Sequence, residues 1–118
     1  MRSASRPSRR LLGAQGEQLA AEWYERSGYQ VLDRNWRCRS GEIDLVCRSG
    51  SMVVICEVKT RGSGAFGAPV EAVTSVKRRR LRKLAAQWLD EHAVGCREVR
   101  FDVASVRDRQ VDVVENAF

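Results

Sequence analysis

The sequence predicts one α/β domain in which a mixed sheet is flanked by helices. Its 118 residues, 43% hydrophobic and 31% charged, suit a single core and no second one. Apolar residues recur at helical spacing in two stretches and in strand-like runs in five others. These stretches follow one another in the order α-β-β-β-α-β-β, without an internal repeat.

Residues 1–12, MRSASRPSRRLL, are rich in Ser and Arg and read as a basic, mobile arm, with the domain over 13–118. From Ala14 to Ser27, Leu19, Ala20, Trp23 and Tyr24 mark a helix that Gly28 stops. Tyr29–Trp36 is the first strand, and Glu42–Cys47 and Met52–Thr60 read as a hairpin closed by Ser49-Gly50. Arg61–Pro69 is a loop with three glycines. A second helix follows, capped by Thr74 or Ser75, with Leu81, Leu84, Ala85, Trp88 and Leu89 as its buried stripe. Gly95 breaks the chain before strands around Val99–Val103 and Gln110–Val114.

The charge excludes less than it first suggests. Net charge is +6, but four arginines and no acid in the first twelve residues supply +4 of it. The four cysteines form no CxxC pair and His92 is the sole histidine, so a Cys/His zinc site has almost no ligands. Reduced cysteines, no apolar run long enough to span a membrane and no secretory leader fit a cytoplasmic protein.

The third strand, Met52-Val-Val-Ile-Cys-Glu-Val-Lys59, is apolar until it delivers Glu57 and Lys59 to one face. A buried strand does not carry charges without partners or water. With a Ser49-Gly50 turn, Asp44 lies opposite Ile55 and Glu42 opposite Glu57. Asp44 is then diagonal to Glu57, about 7–8 Å away between α-carbons. That register sends Ile43, Leu45, Cys47, Val54, Cys56 and Val58 to the other face. Two carboxylates so placed suit Mg²⁺ or Mn²⁺, which take hard oxygen ligands and activate water for attack on a phosphodiester. Lys59 would orient that water or stabilise developing charge. The alternative for Glu57 and Lys59 is an exposed, salt-bridged strand end.

Asp44 followed by Glu57-Val58-Lys59 in a hairpin resembles the PD-(D/E)xK nuclease signature, with Ile43 where the motif's proline would stand. Gly16-Glu17, Gly41-Glu42-Ile43-Asp44-Leu45, Glu57-Val58-Lys59-Thr60-Arg61 and Arg100-Phe101-Asp102 are similar to blocks of the uncharacterised bacterial YraN-like family, over nearly all of Gly13–Val106. The layout is also similar to archaeal-type Holliday junction resolvases. The resemblance implies a restriction-endonuclease-like fold and cleavage of DNA, branched or repair and recombination intermediates included. It also implies a metal site of Asp44, Glu57 and Glu17, with Glu17 carried on the first helix. At a helix start the dipole favours an acid in any case, and Glu42 and Asp102 read as structural.

Lys77-Arg78-Arg79-Arg80-Leu81-Arg82-Lys83 places six basic residues in seven at the start of the second helix. There they oppose the helix dipole and repel one another, costs that a phosphate backbone would offset. Lys77, Arg78, Arg79 and Arg82 are the expected nucleic-acid contacts, the bland alternative being a solvated face. Lys77, one turn before Leu81, is expected to point towards the metal site. Other classes compatible with these features are a nucleic-acid-binding module that cuts weakly or not at all and a homodimeric structural or adaptor protein. None needs a small-molecule cofactor.

Overall fold

The computed structural model describes residues 9–61 and 73–118. Its elements are α1 (Arg9–Arg26), β1 (Gln30–Cys38), β2 (Gly41–Ser49), β3 (Met52–Arg61), α2 (Ser75–Glu91), β4 (Glu98–Arg107) and β5 (Gln110–Val114). This is the predicted order. The strands form one sheet in sequential order, antiparallel throughout except for the parallel pair β3–β4 that α2 connects. The mixed α/β architecture expected from the sequence is therefore the observed one.

The helices cover opposite faces. On one, Ala20, Ala21 and Tyr24 of α1 pack on Leu45, Cys47, Val54, Cys56 and Ala104. On the other, Leu81, Leu84, Ala85 and Trp88 of α2 pack on Ile43, Val46, Val53, Ile55 and Val103. β3 feeds both cores, which explains its unbroken apolar run from Val53 to Cys56. Thr74 caps α2, its side chain accepting from the Lys77 N–H at 3.2 Å. No helix among the described residues is long and apolar enough to cross a membrane.

Three local expectations are corrected. First, α1 starts at Arg9, so part of the 1–12 segment expected to be a loose arm is helical; residues 1–8 lie outside the described residues. Leu12 gives the reason, because it continues the apolar stripe and lines a cavity of about 200 Å³ with Leu19, Thr60 and Val106. The loop expected over Arg61–Pro69 falls, from residue 62 onwards, outside the described residues.

Second, the β2–β3 turn is Gly50-Ser51, with Ser49 paired to Met52. Gly50, at φ +59, takes the first central position, where a tight hairpin needs a left-handed residue. Arg48 braces the turn through the Gly50 and Gly95 carbonyls at 2.8 and 3.0 Å. The slip from the expected register is two residues, so faces are preserved while partners change. Ile55 pairs with Val46 and the ladder ends at Leu45–Cys56, so Asp44 is not opposite Ile55. This register also removes Glu42 from opposite Glu57.

Third, Ile43 does not share a face with Leu45. Ile43 and Val46 belong to the α2-side core, whereas Leu45 and Cys47 belong to the α1 side. Strict alternation would put Ile43 with Leu45, so it breaks at Asp44. Asn35, in the facing stretch of β1, has a φ of +51. The sheet is irregular at the point where the first candidate acid sits.

Candidate active site

Where β2 leaves the ladder, the Asp44 side chain takes over a backbone group. Its Oδ2 accepts the Val58 N–H at 2.9 Å. This holds the Asp44 carboxylate against the segment carrying Glu57 and Lys59. Burial, then the Glu57 carboxylate, pushes the Asp44 carboxyl up to about 7 against the pull of that hydrogen bond, with Glu17 and Glu42 adding to the rise. The Glu57 charge thus acts directly on the Asp44 carboxyl.

Glu57 is only 6% exposed, so its charge depends on partners. Its Oε1 meets Lys77 Nζ at 2.5 Å and Lys59 Nζ at 3.3 Å. Lys77 thus arrives from α2 as the helical stripe predicted, and it clamps the strand acid from across the core. Burial would lower its ammonium, but the hydrogen bonds to Glu57 and Lys59 and the nearby acids raise it. Lys59 moves the other way: burial, then the adjoining Lys77, lowers its ammonium despite Glu57. One lysine is fixed as a cation while the other is drawn towards its neutral form. The exposed strand-end alternative for this pair does not describe it.

Glu17 reaches the site because α1 lies unusually close to β3. A Cβ at Gly16 would stand 2.0 Å from Thr60 Oγ1, so only glycine permits this approach. Glu17 lies in the interior of α1, so a helix-start preference does not account for it. Burial raises its carboxyl, while the Asn35 side chain holds it through a hydrogen bond and lowers it. Its Oε2 is buried with no hydrogen-bond partner.

The donor set fits a hard divalent cation: three carboxylates, no thiolate or imidazole, and one buried oxygen without a partner. The set is not gathered. Among the described residues no three His, Cys, Asp or Glu side chains stand together as a ready metal cluster. Lys77 and Lys59 hold the Glu57 oxygen instead.

Glu42 lies at the edge of this arrangement and Asp102 outside it. Glu42 is exposed and pairs with Arg37 at 3.1 Å. Asp102 is fully buried and structural: Arg100 grips both its oxygens at 2.8 Å, Tyr24 donates at 2.6 Å and the Asn116 N–H at 3.0 Å.

The basic run of α2 divides into three groups. Lys77 serves Glu57. Arg78 and Arg82 turn to the other side, where Arg78 stacks over Phe118 at 5.4 Å and Arg82 over Phe101 at 5.4 Å, and Arg78 Nε donates to the Val73 carbonyl. Arg79 and Arg80 are exposed, and Arg80 lines a cavity of about 240 Å³ together with Gly41, Glu42, Glu57 and Lys77. Sequence reasoning did not single out Arg80 or Asn35. The helical spacing of Arg80 from Lys77 pointed to the former, but nothing local marked the latter.

Residues 16–106 match the model of UPF0102, described as an uncharacterised protein family. A UPF0102 protein of Beutenbergia cavernae is 57% identical over 95 residues, covering 80% of each chain. One from a Nocardioides species is 48% identical over 104 residues, covering 88% of this chain and 84% of that one. A third, from Rhodococcus opacus, is 45% identical over 112 residues, covering 91% and 95%.

Proposed function

Because the chain belongs to UPF0102, an uncharacterised protein family, the site has to speak for its chemistry, and we propose a metal-dependent endonuclease acting on DNA. The observation that carries this reading is the Asp44–Glu57 pair. Two acids are held together at a break in the sheet, one raised to about 7, with lysines on the other's carboxylate. Such a pair is costly to keep without a cation to share. Asp44, Glu57 and Glu17 would hold Mg²⁺ or Mn²⁺, which when bound lowers the pKa of water and neutralises phosphate charge.

The chain's own residues do the rest. Val58 N–H fixes Asp44, and Lys77 holds the Glu57 carboxylate in a nearly closed setting. Lys59, whose ammonium is lowered by burial and by the adjoining Lys77, is suited to orient the attacking water and, when neutral, to accept a proton from it. The water oxygen bonds to phosphorus as the bond to the leaving sugar oxygen breaks, and that oxygen takes up a proton. Branched DNA and recombination intermediates are the substrates of choice under this reading.

A second reading, nucleic-acid binding without cleavage, is favoured by the Lys77 ammonium lying on the Glu57 oxygen that a metal would need. Cleavage of branched and single-stranded DNA in Mg²⁺, Mn²⁺ or chelator separates the two. Metal-dependent cutting should fall by at least about 100-fold in Asp44→Asn, Glu57→Gln and Lys59→Ala, as befits loss of a group acting in the transition state. Cutting that persists in Asp44→Asn overturns the site assignment. Cation binding without cutting of any substrate moves the protein to the binding role.

A further inference from the structure

A basic cavity opens beside α2, and of the four expected nucleic-acid contacts Arg79 alone lines it. Arg79, Arg80 and Lys83 line this cavity of about 510 Å³, faced by Ser40 of the β1–β2 turn and by Gln87 further along α2. None of the residues lining it is acidic. Among the described residues none of the three cations is in an ion pair, whereas Arg37, Lys59, Lys77 and Arg100 are. Arg80 and Leu84 line both this cavity and the smaller one that contains Glu57. The two cavities are therefore neighbours on α2.

We propose that this cavity seats the phosphodiester backbone of an unpaired DNA strand next to the Glu57 site. Its volume lies in the range that encloses a small-molecule ligand, which corresponds to one or two nucleotide units. A duplex is a cylinder too wide to enter it. The lining has no aromatic ring, so recognition falls on phosphates rather than on stacked bases. Arg79, Arg80 and Lys83 supply the charge, and the Ser40 hydroxyl and Gln87 amide supply neutral hydrogen bonds. Arg78 and Arg82, stacked on Phe118 and Phe101, face away from this path. The direction in which the strand runs towards Glu57 rests on the nuclease reading; the binding site itself does not.

The test is fluorescence anisotropy with a labelled single-stranded oligothymidylate and with a duplex of equal length, in chelator so that nothing is cut, across a salt series. Each phosphate contact contributes about −0.7 to the logarithmic salt slope on single strands. Arg79→Ala/Arg80→Ala/Lys83→Ala should flatten the single-strand slope by about 2 and weaken binding at least tenfold, with a smaller loss on duplex. Arg78→Ala/Arg82→Ala should leave the single-strand slope near the wild-type value. Wild-type slope and affinity in the triple variant overturn the proposal even if the protein cuts DNA. An equal loss on duplex overturns the unpaired-strand assignment. The expected losses in a protein that never cuts uphold this site and remove only the nuclease reading.

Discussion

Replacing Asp102 with alanine should cost about 3–5 kcal/mol, the range for breaking a buried ion pair from one side. Asp102 has no exposed surface, and it satisfies an arginine, a tyrosine hydroxyl and a backbone N–H. Arg100 has only 12% of its side chain exposed, and hydrogen bonding to Asp102 raises its already high pKa further. Without Asp102 the guanidinium keeps Tyr29 and a longer contact to Glu115, neither of which replaces a bidentate carboxylate. The Tyr24 hydroxyl and the chain near Asn116 would lose their common anchor. Since domains of this size are stable by about 5–15 kcal/mol, the variant should unfold at much lower urea. An unchanged urea midpoint would show that the network contributes no stability. Asp102→Asn, which keeps the shape, should lose less.

Asp44→Asn should instead stabilise the protein in metal-free buffer, and more so at high pH. The Asp44 carboxyl is raised in the fold from 3.8 to about 7, first by burial and then by Glu57. Between these values the folded chain holds a proton that the unfolded chain has released. Stability from this group is therefore lost as pH rises through that window, and above about 7 the whole penalty remains. Asparagine escapes it and still offers an oxygen to the Val58 N–H. The gain of Asp44→Asn over wild type should be larger at pH 8 than at pH 5 by about 2 kcal/mol. Denaturant titrations at the two pH values read this directly. A gain independent of pH would mean that Asp44 carries no charge penalty.

The contrast between these two acids shows how far the sequence could be read. Both are aspartates in strands, and hydrophobic period alone does not separate them. Asp44 was legible as a site residue because strand geometry has period two: moving the turn by one residue slips the register by two, which keeps the face. A turn containing Ser49, Gly50 and Ser51 permits either register, and the left-handed φ of Gly50 decides between them. The break at Asp44 and the strained Asn35 were not legible, since they arise from the way β1, β2 and α1 meet. Lys77 was legible from its place one turn before Leu81 on the buried stripe. The division of the basic run was not. It depends on Phe101 and Phe118 folding back on one side of α2 and on the turn at Ser40 on the other.

The central claim is that Asp44 and Glu57 share a divalent cation, and the thermal stability of the protein in Mn²⁺ tests it most directly. A ligand that binds only the folded state at 100 times its Kd stabilises by about 2.7 kcal/mol. Melting followed across a Mn²⁺ titration should show a saturable rise in wild type at pH 8. The rise should be absent in Asp44→Asn and Glu57→Gln and retained in Lys59→Ala, which removes a competing cation from the Glu57 oxygen. A rise of equal size in Asp44→Asn and wild type, or none in wild type, would contradict the account.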